Sequence, residues 1–552
     1  MPGESSRCGI SGFLRNFPQL LCLLQQPSMQ TLLSFLGFTA FVAFYSWYRL
    51  RKESLSSRDG YFLGGRSLTG VVIAGSMLLT NISTEHLIGL NGSAYKNGFI
   101  IIAWEVTSAL ALIVAALFFI PTFLRMGLTT IPQYLEERFD SMTRTLVALF
   151  LMVSFVVTLL PIVLFTGAIN LESIFDVSGV LGVSQNEGLW ITVVVIGLIG
   201  SGYAIFGGLK AVAYSDTING VGLFIGGLAV PILALLDIGE GNMLTGLSRV
   251  YENSPEKFNV IGASNSVLPF STLFTGLIIN QLYFWGMNQT IIQRAFGAKN
   301  LKEAQKGLLY TGVLKTLVPL IIVLPGVIAY YYFGDQFYEN QDIIYPELIK
   351  KVLPLSFVGF FAAVVMGAVL STFNSVLNSA ATIFSVGIYQ RLLNTSATDR
   401  QLVRVGKMCS ALLALVAIVA APLVARASEG LYQLLQQLNG IFFIPIASIM
   451  LAGLFIPRIS ATGAKAALLV GLLFYILTTF IFQVDVHFVH IWGIEFLLNM
   501  AVMFGVSHFY PNNRPAWSSD KTILDMQPWK YAKAFSIVLT IVIIVLYIWL
   551  GQ

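Results

Sequence analysis

The chain is 552 residues long, 56% hydrophobic and only 11% charged, with 49 glycines and a formal net charge of +5. Such a composition excludes a soluble enzyme of this length and describes a chain that lives in a bilayer. The basic residues are concentrated in alternate loops, so the positive balance reads as a signal of membrane orientation and implies no nucleic-acid partner.

Residues 1–29 read as an N-terminal extension without stable structure. Arg7 and Arg15 precede only a short apolar patch, Leu20 to Leu24, and no small-residue cleavage site follows. Met29 is a second candidate start. Residues 30–68 hold a leading helix and a basic loop. Residues 69–236 hold five apolar spans, a polar loop covers 237–267, residues 268–456 hold five more spans, and 457–552 carry three C-terminal helices with their loops. The total is about fourteen spans. None of the loops is long enough to fold alone.

Each group of five opens on an interrupted helix. The apolar run from Thr69 to Leu90 contains Leu79-Thr80-Asn81-Ile82-Ser83-Thr84-Glu85-His86. The run 268–293 is interrupted at Asn280-Gln281 and Asn288-Gln289. Polar irregular backbone at membrane depth survives only where it is buried in protein or lines a cavity. Two such breaks in corresponding places point to an inverted-repeat secondary transporter with its site at the breaks. Five is odd, so the second group lies inverted relative to the first.

Loop charge sets the orientation. One set of loops holds Arg49, Arg51, Lys52, Arg58, Arg66, Arg125, Arg138, Arg144, Lys210 and Arg294 among others. The alternate set holds only Lys96, Arg249, Lys257, Lys350, Lys351 and Arg426. The richer set reads as cytoplasmic, with both termini outside. Cys8, Cys22 and Cys409 are too scattered for a disulfide framework or a metal site. No nucleophile motif, metal cluster or phosphate loop speaks for an enzyme.

Ionisable groups within spans are functional candidates, since each costs roughly 2.5–3.5 kcal/mol at mid-bilayer. They are Glu85, His86, Glu105, Glu172, Asp216, Lys315 and Glu495. Glu105 and Lys315 can pair across the two groups, either to grip hydroxyls or simply to fix helix packing. Glu172 and Glu495 are expected to snorkel to the interface. The stretch Ser371-Thr372-Phe373-Asn374-Ser375 interrupts the run 353–385. Facing the carbonyls of Leu79 and Ile82, the hydroxyls of Ser371 and Thr372 suit a hard monovalent cation. Plain interhelical hydrogen bonding is the alternative, and the broken first helix favours the ion. The uncharged amides Gln436, Gln437 and Asn439, with the aromatics Trp104, Tyr283, Phe284, Trp285 and Tyr432, suit a neutral polyhydroxylated ligand.

Several separated motifs tie these positions together. They are Asn81-Ile82-Ser83 through Gly89-Leu90-Asn91-Gly92-Ser93, Gly207-Gly208-Leu209-Lys210-Ala211-Val212, Trp285 through Ile291-Ile292-Gln293-Arg294, and Leu377-Asn378-Ser379 before Thr382-Ile383-Phe384. In order and spacing they resemble the sodium/solute symporter family, most closely its sodium/glucose and sodium/galactose branch with bacterial members. The resemblance implies an all-α integral membrane protein with a leucine-transporter-like 5+5 inverted repeat. It also implies sodium as coupling ion and a neutral monosaccharide as cargo. By position, it assigns sugar contacts to Asn81, His86, Glu105, Gln281, Trp285, Lys315 and Gln436. Leu90, Trp104 and Tyr432 would form an outer gate and Phe284 an inner one. Sodium would meet the carbonyls of Leu79, Ile82 and Ala368 and the hydroxyls of Ser371 and Thr372, with Asp216 and Ser375 on its inward path.

Three positions depart from the bacterial galactose carrier. His86 replaces a glutamine, Gln281 an asparagine and Phe284 a gate tyrosine. The last implies a looser inner gate. Other cargoes on the same scaffold are myo-inositol, an acetylated sugar, sialic acid or an amino acid. A sugar sensor or channel is the remaining class.

Overall fold

The computed structural model describes residues 27–51, 57–426, 431–512 and 524–551. Residues 1–26 of the expected extension, with Cys8 and Cys22, and the loop bases Lys52, Arg514 and Lys521 lie outside the described residues. Among the described residues every extended element is a helix, and the single backbone bridge joins Leu68 to Ala298.

Seventeen helices matter here: α1 (Pro27–Leu50), α2 (Gly70–Asn81), α3 (Asn91–Asn97), α4 (Ile102–Val114), α5 (Ser141–Ser154), α6 (Leu160–Phe175), α7 (Gln185–Ile238), α8 (Gly276–Gly286), α9 (Gln289–Phe296), α10 (Leu301–Leu317), α11 (Pro319–Phe333), α12 (Leu355–Thr382), α13 (Asp399–Ala420), α14 (Leu431–Phe455), α15 (Ala461–Ile476), α16 (Phe488–Phe509) and α17 (Ala532–Leu550). Eleven described helical stretches are long and apolar enough to cross a bilayer. The fourteen expected segments map onto these eleven stretches together with the shorter α2, α8 and α9. The run 69–93 splits, and its outer half continues into the next span as Glu85–Arg125. The run 268–293 splits into α8 and α9, both short. The runs 188–206 and 212–236 join into the 54-residue α7, kinked at Gly208.

The kink is a backbone necessity. Gly208 has φ 62° and ψ −175°, a region open essentially to glycine alone. A Cβ there would also lie 2.9 Å from the Tyr61 carbonyl oxygen. α2 begins where Glu303 of α10 accepts from the Gly70 N–H at 2.8 Å, an anionic group at a helix N-terminus. From there α2 runs between α7, α10 and α12, while α8 lies against α4, α14 and α16.

The two loop sets fall on separate sides of the bundle. Lys465 pairs with Asp140 at 2.7 Å, and Arg138 donates to the Gly453, Ile456, Pro457 and Ile459 carbonyls at the C-terminal end of α14. On the other side Lys257 is buried, donating at 3.0 Å to the Tyr95 and Lys96 carbonyls and lying 3.8 Å above the Tyr330 ring. Both described chain ends touch this second, base-poor side: Thr31 donates to Leu355 O and Val260 donates to Leu550 O.

Three sequence expectations are corrected. Arg294 is no loop charge; it is wholly buried on α9. Glu495 does not snorkel, because its carboxylate is fully buried in the body of α16, whereas Glu172 reaches past the end of α6 to accept from the Ser178 N–H at 2.9 Å. The stretch Ser371 to Ser375 does not interrupt its helix, since Ser375 donates to the Ser371 carbonyl one turn back and α12 stays continuous.

Gly208→Ala should destabilise the folded protein by roughly 1–3 kcal/mol, the cost of holding a side-chain-bearing residue at that φ/ψ. The expected readout is a lowered thermal unfolding midpoint of the purified protein. An unchanged midpoint would mean that α7 can straighten.

Candidate functional site

α2 stops at Asn81 because the next residues leave helical geometry, with Ile82 at φ −81° and ψ 94°. The consequences are carried by the hydrogen bonds. The Ser83 N–H turns to the Asn81 carbonyl at 3.1 Å, so Leu79 O loses its helical donor four residues on. The His86 N–H goes to Ser83 O at 3.1 Å, so Ile82 O loses its donor too. A wider π turn, Glu85–Leu90, then restarts the helix toward α3. These two carbonyls are the ones the sequence selected as cation ligands.

α12 docks onto this break through Thr80, a residue to which the sequence assigned no role. Thr372 Oγ1 donates to the Thr80 carbonyl at 2.9 Å. The Thr80 hydroxyl lies 3.0 Å from Ser375 Oγ and 3.5 Å from Ser371 Oγ. Ala368 is buried in one apolar cluster with Leu79 and Ile82. Below the seam runs a polar ladder. Ser76 Oγ donates to Asp216 at 2.6 Å, Arg294 donates to Ser76 Oγ at 3.2 Å, and Arg294 also donates to Ser375 Oγ. Asp216 and Ser375 are thus brought together, and Arg294 sits between them.

Beside the break lies a cavity with about 50 Å3 of free space, room for a few waters and too small for a sugar ring. Asn81, His86 and Glu105 line it, facing Gln281, Phe284 and Trp285 of α8. Lys315 of α10 and Gln436 of α14 complete the expected set, with Trp104 and Tyr432 above. Of the expected gate residues, Leu90 alone stays outside the wall, buried in the apolar cluster that holds Trp104 and Tyr432.

Lys315 and Glu105, both fully buried, form an ion pair, and Lys315 also donates to Asn81 Oδ1 at 2.7 Å. Its ammonium lies 5.4 Å from the Trp285 ring centre. His86 Nε2 is 3.7 Å from Glu105 Oε1, and its Nδ1 is 3.7 Å from Glu85 Oε1. The only basic groups at the cavity are therefore already matched with acids. By contrast, three acceptor atoms of residues that line it are buried without hydrogen-bond partners: Glu85 Oε2, Asn280 Oδ1 and Asn439 Oδ1. Unsatisfied buried acceptors of this kind each cost about 1–3 kcal/mol, a cost that a hydroxyl-bearing guest removes.

Of the two interruptions expected in 268–293, the one at Asn288-Gln289 is a break and the one at Asn280-Gln281 is not. Asn280 and Gln281 sit in intact helix, and the chain breaks at Met287–Asn288, where Asn288 accepts from the Thr290 N–H and caps α9. Gln281 is committed to scaffolding. Its amide donates to Trp104 O at 2.8 Å and Thr107 Oγ1 at 3.3 Å, and its oxygen accepts from Trp285 Nε1 at 3.1 Å. Phe284 stands half-buried at the cavity, 5.3 Å from the Trp285 ring. The outer wall is aromatic: Tyr432 lies edge-on to Trp104 at 5.8 Å and to His86 at 5.3 Å.

Residues 61–471 match the model of the sodium:solute symporter family. The chain is 44% identical over 521 residues to the uncharacterized symporter YidK of Escherichia coli (strain K12), covering 94% of this chain and 91% of that protein. It is 32% identical over 437 residues to the sodium/glucose cotransporter of Vibrio parahaemolyticus, covering 75% and 78%. It is 29% identical to the human sodium/myo-inositol cotransporter, covering 76% of this chain and 62% of that one. Among solved structures it superposes on a Na+-coupled sialic acid symporter with a TM-score of 0.75 at 21% identity, covering 88% of this chain and 99% of that one. That likeness shows the fold, the leucine-transporter-like arrangement expected from the sequence.

Lys315→Met strands the buried Glu105 carboxylate and should cost about 3–5 kcal/mol of stability. Adding Glu105→Leu should restore most of the thermal midpoint while solute uptake stays lost. Uptake that recovers together with stability would make the pair purely structural.

Proposed function

The chain belongs to the sodium:solute symporter family, and from that premise we propose that it carries a neutral, hydroxyl-rich solute of the monosaccharide class across the cell membrane with sodium. It is a transporter and not an enzyme, and sodium is its coupling ion. The observation that carries the choice of cargo is electrostatic. The cavity's bases each stand beside an acid, leaving no spare cation for an anionic guest, while three buried acceptors await hydrogen-bond partners. A sialic acid would bring a carboxylate to this place; a hexose brings only hydroxyls. The similarity to carriers of glucose and of myo-inositol supports the same reading. A cyclic polyol is the nearest alternative and uses the same chemistry.

In this reading Asn81, His86, Glu105, Lys315 and Gln436 hold the solute, with Trp285 beside it and Gln281 holding the wall in place. Sodium lies between the carbonyls of Leu79, Ile82 and Ala368 and the hydroxyls of Ser371 and Thr372. The set is all neutral oxygen and suits a hard cation without adding a buried charge. Asp216 and Ser375 mark the inward route, on which Arg294 is the standing positive charge. Leu90, Trp104 and Tyr432 close the outer side and Phe284 the inner. One helix bundle rocks against the rest, the base-rich loops face the cytoplasm, and both termini lie outside.

The cycle needs no covalent step. Sodium arriving from outside clamps α12 onto the broken end of α2. That orders the neighbouring solute groups, and by linkage the solute strengthens sodium binding to the same degree. A tenfold sodium gradient supplies about 1.4 kcal/mol and 100 mV adds about 2.3 kcal/mol per charge. One ion thus supports accumulation of a neutral solute by roughly a few hundredfold.

Purified protein in liposomes should accumulate glucose, galactose or myo-inositol with an inward sodium gradient and not with potassium or a proton gradient. Preference for sialic acid or an amino acid over every neutral solute would overturn the choice of cargo. Thr372→Ala should raise the half-saturating sodium concentration about tenfold, equivalent to about 1.4 kcal/mol, with the order of solute preference unchanged. Unaltered sodium dependence after Ser371→Ala combined with Thr372→Ala would remove the proposed ion site.

A further inference from the structure

Glu495 belongs neither to the solute cavity nor to the sodium seam, yet it is fully buried, about 10 Å of helix in from the start of α16 at Phe488. Neither of its carboxylate oxygens has a hydrogen-bond partner, and neither does Asn499 Oδ1, one turn further along the same helix face. The surroundings are packed closed. Asn499 Nδ2 donates to Ser448 Oγ of α14 at 3.2 Å, and a Cβ added to Gly471 of α15 would stand 2.6 Å from both amide atoms of Asn499. A Cβ on Gly440 of α14 would collide with Trp492 Nε1 and the Tyr475 hydroxyl. Trp492 over Gly440 and Asn499 on Ser448 bracket Glu495, so it stands level with Pro445, where α14 lacks one helical donor.

The helices packed on α16 are α8, α14 and α15. Tyr475 of α15 is within electrostatic reach of Glu495, and its hydroxyl donates to the Gln437 carbonyl at 3.0 Å. Tyr283 of α8 lies against Phe443 at 4.6 Å, and Tyr432 of α14 lines the solute cavity. The other titratable groups stand at helix ends: Lys465 on Asp140, His490 on Ser271 and Thr275, and His508 in the last turn of α16. Among the described residues none of these groups forms an ion pair with Glu495.

We infer that Glu495 is a proton-binding site, separate from the sodium and solute sites, that holds its proton while the outer aromatic wall is closed and gives it up to outside water when that wall opens. An ionised carboxylate buried beside another orphan acceptor and without a counter-charge is strongly disfavoured. One proton removes the conflict, because Glu495 becomes a donor and Asn499 Oδ1 is a free acceptor on the same face. A metal ion would need space that the packing over Gly440 and Gly471 does not leave, whereas a proton needs none. The step is a plain protonation of the carboxylate by outside water, with no other bond changed.

Two contacts join this site to the outer wall. Trp492, three residues before Glu495, meets Trp104 edge-on with ring centres 6.3 Å apart and planes at 73°. Tyr475 holds Gln437, the neighbour of Gln436 at the solute cavity. When Trp104 swings away, Trp492 loses the ring that covers it, water reaches the carboxyl, and the ionised form is solvated. Protonation from outside therefore favours the outward-closed form, and acid outside slows entry of the solute.

The test has a spectroscopic and a transport arm. The infrared spectrum of the purified protein should show a carbonyl band of a protonated carboxylic acid that Glu495→Gln removes. The same substitution fixes the neutral form. Sodium-driven uptake of glucose or myo-inositol into proteoliposomes by this variant should therefore fall about threefold to tenfold in mildly alkaline outside medium, to near the wild-type rate in mildly acid medium, and should differ less than twofold between the two media. His490→Asn should keep the wild-type response to outside pH. A band unchanged by Glu495→Gln overturns the site. So does wild-type uptake indifferent to outside pH, a Glu495→Gln variant that keeps the wild-type response, or a His490→Asn variant that loses it. The spectroscopic arm needs no solute, so its outcome stands apart from the reading of the cargo.

Discussion

A complete α-helix has almost nothing to offer an ion, because its carbonyls are already taken by N–H groups four residues on. The end of α2 escapes that condition. Where α2 ends, the Ser83 and His86 N–H groups turn to other acceptors, and the carbonyls of Leu79 and Ile82 are released from the ladder. Such a break is tolerable at membrane depth only if protein surrounds it. α12 provides that cover and brings hydroxyls with it, Thr372 to the Thr80 carbonyl and Ser371 and Ser375 to the Thr80 side chain. The rest of the site depends on this seam.

Coupling follows from adjacency in the chain. Thr80 belongs to the seam and the next residue, Asn81, takes the Lys315 ammonium at the solute cavity. A change in how firmly α12 holds Thr80 moves Asn81, and with it the Lys315–Glu105 pair. That pair also explains how a cavity with four ionisable side chains suits an uncharged guest. Lys315 and Glu105 neutralise one another, while Gln281, engaged with Trp104, Thr107 and Trp285, holds the α8 wall against α4. The polar ladder of Ser76, Asp216, Arg294 and Ser375 continues the seam toward the base-rich side.

Much of this was legible in the residues. Polar groups within an otherwise apolar span mark a break because hydrocarbon permits no other explanation, so α2 and its unwound carbonyls could be read directly. The residues expected as solute contacts all line one cavity in the fold. What escaped was whatever depends on a partner distant in sequence. Arg294 reads as a loop base beside Lys299 and Lys302 until α9 is seen turned inward on Ser76 and Ser375. Glu495 reads as an interfacial acid because nothing local shows that α14 and α15 pack over it. In the run 268–293 two amide pairs read as interruptions, because amides weaken an apolar pattern whether or not the helix stops; Asn288-Gln289 marks the real break, with Asn288 as cap, and Asn280-Gln281 lies in intact helix.

In the proposed reading sodium and solute are held on neighbouring residues, so each changes the affinity of the protein for the other. The most direct measurement is equilibrium binding of sodium to the purified protein with and without saturating glucose, set beside glucose binding with and without sodium. The seam at Thr80 and Asn81 predicts that both affinities rise, and by one common factor. Sodium binding that is indifferent to glucose, with glucose binding indifferent to sodium, would contradict it.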